Sequence, residues 1–306
     1  MGVPYLGAED LERLLPMKAA IDALETAFGA ERLPDAPPRS TVRTPDGSLL
    51  LMPASGPQGV GVKLVALTPS NAERGLPFIH AAYVLFEPGT QAPRAFLDGA
   101  ALTALRTGAV SGLATRHLAL PGARRLAIFG AGVQARSHLE AMRAVRPIEE
   151  VVVISRTSER AAALVREAAA LGLDAGVGEP ADATSADLIC TCTTSAEPVI
   201  DGSRLAPGAH VNAIGAYTPE MREVDTEGVR RAKVVVETRE AALAEAGDLL
   251  IAIAEGAIGP EHVIADLGEV VRGAAVRTSE EDVTLFKSVG VAFEDLVVAS
   301  AAVDRR

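Results

Sequence analysis

The segment Arg125-Leu-Ala-Ile-Phe-Gly-Ala-Gly-Val-Gln-Ala135 has the residue types and the spacing to hold a diphosphate. A short apolar run, 126–129, feeds into Gly130-x-Gly132-x-x-Ala135, and a helix-forming stretch continues to Val145. Gly130 permits a sharp turn. Gly132 lets the backbone approach phosphates with no Cβ in the way, and Ala135 is small enough for the helix to pack close to the strand. The helix N-terminus adds open N–H groups and the positive end of a dipole. Val133 and Gln134 complete the turn. A strand, turn and helix in this order serve a dinucleotide pyrophosphate.

The next apolar strand, 150–155, bears on which dinucleotide. An acid at its far end would bind the ribose hydroxyls of NAD. Here the strand ends Ile154-Ser155-Arg156-Thr157, while Glu149 and Glu150 sit at its start. Uncharged Ser155 removes repulsion toward a 2′-phosphate, and the Arg156 guanidinium supplies a partner for it, with Thr157 alongside. NADP(H) is therefore favoured, and NAD(H) remains possible.

The elements that must position these residues alternate. After 126–129 come strands at 150–155, 174–177, 187–193, 210–215 and 231–237, with an alanine-rich helix over 157–171. Apolar runs bounded by polar turns and interleaved with helices indicate a parallel sheet covered on both faces. The first hundred residues read differently. An amphipathic helical region spans 8–31, its stripe made by Leu11, Leu14, Leu15, Ile21, Leu24 and Phe28, and the prolines of 34–38 break it. Strands at 48–52, 59–67 and 80–86 follow, a mostly antiparallel α+β region. Helices over 100–118 and 291–303 complete the chain.

Composition sets outer bounds. At 306 residues with 48% apolar content, the chain has ample material for a core. A net charge of −11 argues against nucleic acid as partner. No apolar run is long enough to span a membrane, and the acidic opening MGVPYLGAEDLERLL is unlike a signal peptide, so a cytoplasmic location is expected. Cys190 and Cys192 alternate along one strand, a poor geometry for a disulfide, and with no histidines nearby they offer no metal site.

Seven blocks, in order from about residue 35 onward, resemble the ornithine cyclodeaminase/mu-crystallin family. They are Leu50-Leu-Met-Pro-Ala54, Gly61-Val-Lys63, Leu97-Asp-Gly99, Leu102-Thr-Ala-Leu-Arg-Thr-Gly-Ala109, Gly130-Ala-Gly-Val-Gln134, Val211-Asn-Ala-Ile-Gly215 and Phe286-Lys-Ser-Val-Gly290. The resemblance implies an α/β chain in two domains. A Rossmann-type doubly wound parallel sheet would span 116–290, and an α+β substrate-binding and dimerisation domain 1–115 with 291–306. It implies a homodimer acting on a small imino or amino acid. It also places Thr193 after the fourth strand, and Val211, Asn212, Ala213, Ile214 and Ser288 on the nicotinamide side of the cofactor.

Three cations carry the substrate in proteins of this resemblance, and they match Lys63, Arg106 and, by spacing to Met52, Arg39, with Arg43 as second candidate. The chemistry is consistent. A guanidinium binds an α-carboxylate through two parallel hydrogen bonds, which orients the α-carbon for hydride transfer. Lys63 lies in the apolar stretch 60–67, where an unpaired ammonium is expensive to bury, so it is expected to face a polar cleft and to polarise or protonate the substrate. Cyclodeaminases carry an Asp shortly after the Val-Asn-Ala strand, and Tyr217 stands there instead. A phenol is a poor base at neutral pH, although it can donate. Cyclodeamination suffers from that loss more than ketimine reduction does. The expectation is therefore an NADPH-dependent reductase of cyclic imino acids such as Δ1-pyrroline-2-carboxylate. Ornithine cyclodeaminase, an alanine-type dehydrogenase and a non-catalytic NADPH-binding crystallin stand as alternatives.

Overall fold

The structure is a computed structural model that describes residues 2–306, with Ala72 described by its backbone alone. The chain forms two compact units, residues 1–106 with 291–306 and residues 107–290. The division falls inside the helix Gly99–Leu118.

The first unit opens with β1 (Tyr5–Leu6), α1 (Ala8–Leu14) and α2 (Met17–Phe28). The helical region expected over 8–31 is thus two helices. Pro16 lacks an N–H and disfavours a helical residue before it, so the chain breaks at Leu15 and restarts. All six residues of the expected stripe are buried. Then come β2 (Ser40–Thr44), β3 (Gly47–Gly56), β4 (Gly59–Leu67), β5 (Ile79–Phe86), β6 (Pro93–Asp98) and α3 (Gly99–Leu118). The six strands pair in the order β1-β6-β5-β4-β3-β2, antiparallel except for β1 on β6. Strand periodicity sends alternate residues to opposite faces. On one face Met52, Ala54, Lys63, Val65, Tyr83, Leu85, Ala95 and Leu97 are buried, and α10 (Ala292–Val303) packs there on β3, β4 and α2. Phe28 and Phe293 meet edge to face with centroids 5.0 Å apart, a contact that contributes about 1 kcal/mol beyond area burial. On the other face Leu51, Val62, Leu64 and Val84 stay partly exposed and Phe96 is exposed.

The second unit contains β7 (Arg125–Phe129), α4 (Val133–Val145), β8 (Glu150–Ile154), α5 (Ser158–Ala170), β9 (Asp174–Val177), β10 (Leu188–Thr191), β11 (His210–Ala213), α6 (Thr226–Arg231), β12 (Lys233–Val236), α7 (Arg239–Glu245), α8 (Gly247–Ala254), β13 (Val263–Asp266), α9 (Leu267–Val271) and β14 (Thr284–Lys287). Its eight strands are all parallel, in the order β13-β12-β14-β11-β10-β7-β8-β9. This is the doubly wound Rossmann-type arrangement. The chain runs outward from β7 to β9, then restarts at β10 on β7's other side, which opens a crevice at the carboxyl ends of β7 and β10.

Two of these strands, β13 and β14, go beyond the sequence reading. β14 is inserted between β11 and β12, so its residues Thr284 to Lys287 are all buried. Arg146 closes the end of α3 by donating to the carbonyls of Thr115, Arg116, Ala119 and Leu120. Two histidines are enclosed. His138 Nδ1 lies 2.7 Å from the Gln134 carbonyl and Nε2 2.9 Å from Ser111 Oγ, and His210 Nδ1 lies 2.9 Å from Thr284 Oγ1. Cys190 is buried in β10, Cys192 sits just beyond it, and both are free thiols. Among the described residues no helix is long and apolar enough to cross a membrane, and no cluster could hold a metal ion.

Candidate functional site

In the second unit the crevice begins at the turn after β7. Gly130 has φ +103°, and a Cβ there would lie 2.5 Å from the Cys192 carbonyl oxygen, so the fold itself requires glycine. Gly132 differs. It caps α4 in extended conformation with no side-chain cap bond, and an added Cβ would meet nothing within 4 Å. Nothing in the chain needs a glycine at 132. The open space and the uncapped N–H groups of a 13-residue helix fit a pyrophosphate that approaches the backbone itself. Val133 is 64% exposed, Gln134 is half-buried, and Ala135 is fully buried against the sheet.

At the end of β8, Ser155 is half-buried and its Oγ accepts from the Thr157 N–H at 3.2 Å. Thr157 caps α5, and Arg156 is exposed with no ion pair to any described residue. Glu150 opens β8 at the opposite end and pairs with Arg125 there, and Glu149 contacts Arg124. The residues that follow β8, Ser155-Arg156-Thr157, include no carboxylate.

The carboxyl ends of β10, β11 and β14 are held by acids that the sequence reading did not single out. Glu223, fully buried, accepts from Thr191 Oγ1 (2.9 Å), from Thr193 N and Oγ1 (both 2.7 Å), and from the Gly215 and Ala216 N–H groups (2.6 and 3.3 Å). Burial pushes its carboxyl above the usual range, Lys287 draws it back, and Asp248 adds to the rise. Asp248 accepts from the Glu223 and Val224 N–H groups and pairs with Lys287 at 2.8 Å. Lys287 in turn donates to the Ala216 carbonyl at 2.5 Å. Both peptide groups flanking Ala216 are thereby fixed, and half-buried Tyr217 follows directly. Thr193 is the residue through which this network reaches the loop after β10.

Several residues expected as cofactor contacts are buried. Val211, Asn212 and Ala213 are sealed inside β11, with the Asn212 amide donating to Thr115 Oγ1 at 2.9 Å. A strand buried on both faces has no side chain to spare for a ligand, and Ile214 is 8% exposed. Ser288 is likewise buried, its hydroxyl donating to Glu237 Oε1 at 2.6 Å, while Glu237 also accepts from the Val289 and Gly290 N–H groups.

In the first unit, Lys63 and Arg106 are gathered by α10. Lys63 projects from β4, with Met52 and Tyr83 as cross-strand partners. Its Nζ lies 2.9 and 2.8 Å from the two carboxylate oxygens of Asp295. Arg106 Nη1 donates to Glu294 Oε2 at 3.0 Å, and its Nε lies 3.4 Å from Asp295 Oδ1. The side chains of Lys63, Glu294 and Asp295 are at most 2% exposed, and that of Arg106 is 7% exposed. The expectation that Lys63 faces a polar cleft is corrected. It is buried, and pairing with Asp295 meets the requirement that exposure would otherwise meet. Removing one partner of such a buried pair costs about 3–5 kcal/mol.

Burial lowers Lys63 to about 8, Asp295 resists the shift, and Arg106 adds to it. Tyr83 is fully buried, with no hydrogen-bond partner for its hydroxyl among the described residues, and burial beside Asp295 pushes it well above its ordinary value. Its ring fills the space over Gly61, where a Cβ would lie 1.9 Å from the hydroxyl oxygen. Arg39 is half-buried in the segment leading to β2, and Arg43 lies exposed within β2. Two cations and two carboxylates are thus brought together in the core of the first unit.

The chain matches the model of the ornithine cyclodeaminase/mu-crystallin family over residues 5–306. It is 38% identical to a Δ1-pyrroline-2-carboxylate reductase of Bacillus cereus, over 98% of this chain and 95% of that protein. Among solved structures it is similar to the Δ1-pyrroline-2-carboxylate reductase of Thermococcus litoralis in complex with NADH and L-proline, with a TM-score of 0.93 and 36% identity over 99% of this chain and 97% of the other. An archaeal alanine dehydrogenase dimer with bound NAD has a TM-score of 0.94 and 35% identity over 100% of this chain and 96% of the other. A match of this extent settles the lineage: the chain belongs to the ornithine cyclodeaminase/mu-crystallin family.

Proposed function

We propose that this protein reduces small cyclic imino acids of the Δ1-pyrroline-2-carboxylate type, with a nicotinamide dinucleotide as reductant. The observation that carries the reading is the enclosed Lys63–Arg106 pair. Residues 1–106 with 291–306 serve as the substrate domain and residues 107–290 as the dinucleotide domain. The residues fitted to the dinucleotide are Gly130, Gly132, Val133 and Gln134 at the pyrophosphate, with Ser155, Arg156 and Thr157 at the ribose. When bound, the reduced nicotinamide supplies a hydride. Arg106 holds the substrate carboxylate in two parallel hydrogen bonds, and Arg39 is a second cation for it. Lys63 donates to the imine nitrogen, which must carry a proton as the carbon accepts a hydride. Tyr217, on its anchored loop, is a donor and not a base, which suits reduction better than cyclodeamination.

Arg156, exposed and unpaired at a ribose end without an acid, supports NADP(H) as the preferred form. A homodimer is supported by the apolar face of the first unit's sheet, where Val62, Leu64 and Val84 remain partly exposed. The test is a panel of imino acids with NADPH and NADH, followed by nicotinamide absorbance. Oxidation with Δ1-pyrroline-2-carboxylate is expected, faster with NADPH. Ammonia and proline released from ornithine without net cofactor turnover would establish the cyclodeaminase instead. Tight NADPH binding with no turnover of any imino acid would leave a binding protein.

A further inference from the structure

Lys63 and Arg106 are brought together by acids from a distant segment, and those acids do not act alike. Glu294 accepts from Arg106 Nη1 at 3.0 Å. Asp295 presents both oxygens to the Lys63 ammonium and lies 3.4 Å from the Arg106 guanidinium. It is the anion shared by the two cations. The charged groups acting on Lys63 are Asp295 and Glu294 from α10 and Arg106 from α3, and its cross-strand neighbours are Tyr83 from β5 and uncharged Met52 from β3. Of these, Arg106 and the apolar surroundings favour a neutral amine. Asp295 opposes them most strongly.

We infer that Asp295 is a positioning residue that keeps Lys63 in place and in its ammonium form, ready to supply the proton that imine reduction consumes. The inference rests on the proposed reductase reading for its use, and on geometry for the pairing itself. In the reaction the imine nitrogen lone pair forms a new N–H bond as an N–H bond of Lys63 breaks. The imine carbon gains a hydrogen and two electrons as hydride from the reduced dinucleotide. Lys63 then recovers a proton from water. α10 thus supplies the carboxylate that holds the proton-donating ammonium.

The chain has four lysines, Lys18, Lys63, Lys233 and Lys287, so selective 13Cε labelling resolves each in an NMR titration of the protein without nucleotide. Lys63 in the unaltered protein is expected to titrate near about 8. In Asp295→Asn its midpoint should fall by roughly one to two units, and Asp295→Glu should restore most of the shift. The alkaline limb of kcat for imine reduction should move with it, with KM changing less. A midpoint that stays put or rises in Asp295→Asn overturns the inference. If Lys63 moves as expected but no imino acid is reduced, the pairing stands and the functional reading falls.

Discussion

Arg156 stands exposed at the carboxyl end of β8, and it has no ion pair among the described residues. Its replacement by Ser removes the only cation of the Ser155-Arg156-Thr157 turn without disturbing the Thr157 cap of α5. Arg156→Ser should raise KM for NADPH about tenfold, equivalent to about 1.4 kcal/mol, and leave KM for NADH within twofold. Equal changes for both cofactors would show that Arg156 does not face a 2′-phosphate. At this scale the chemistry-bearing residues separate by how local their signals are. Lys63, Arg106 and Gly130 are legible because each sits in a short motif. Glu294 and Asp295 are not, because their partners lie 188 and 232 residues away and α10 reads as an ordinary apolar helix. Glu223, Asp248 and Lys287 are hidden for the same reason. Nothing in a carboxylate's neighbours announces that it will be buried against loop N–H groups.

Among elements, the turn between β7 and α4 contains two glycines required for different reasons. Gly130→Ala forces a side chain at φ +103° and against the Cys192 carbonyl, which should destabilise the second unit on the order of 3 kcal/mol. A Cβ at 132 meets no atom of the chain within 4 Å, so in Gly132→Val thermal stability should hold while dinucleotide affinity, read by fluorescence titration, drops at least about a hundredfold. Loss of stability in Gly132→Val would mean that its glycine serves the fold after all. The strand alternation and the helix after the turn are plain in the sequence. The placement of β14 is not, because its Phe286-Lys-Ser-Val-Gly290 block mixes a buried lysine and serine into what a buried strand would show as apolar residues. Only the Lys287–Asp248 pair and the Ser288–Glu237 bond explain why polar residues are tolerated there.

For the whole molecule, acid should be the more damaging direction of pH change. Burial lowers His138 to about 4 and His210 to about 3, with Arg277 and Arg146 adding to the latter. Both groups titrate near 6.5 in the unfolded chain. Below that value the unfolded state takes up protons that the folded state refuses, so stability present at neutral pH is lost as pH falls. The slope approaches roughly 1.4 kcal/mol per pH unit for each histidine between about 6 and 4. Denaturant midpoints across that range should fall steadily. His138→Gln, whose amide can reach the Gln134 carbonyl and Ser111, should flatten the slope by about half. An unchanged slope would assign acid sensitivity to the carboxylates instead.

The position of β14 also governs how the protein comes into being. During synthesis, β11 and β12 emerge with their facing edges unpaired, since the strand that belongs between them is made some fifty residues after β12. The first unit likewise waits for α10 to cover its sheet. A ribosome that has released β12 but not yet β14 or α10 therefore carries two unfinished cores with open strand edges, the kind of surface on which nascent chains aggregate or recruit chaperones.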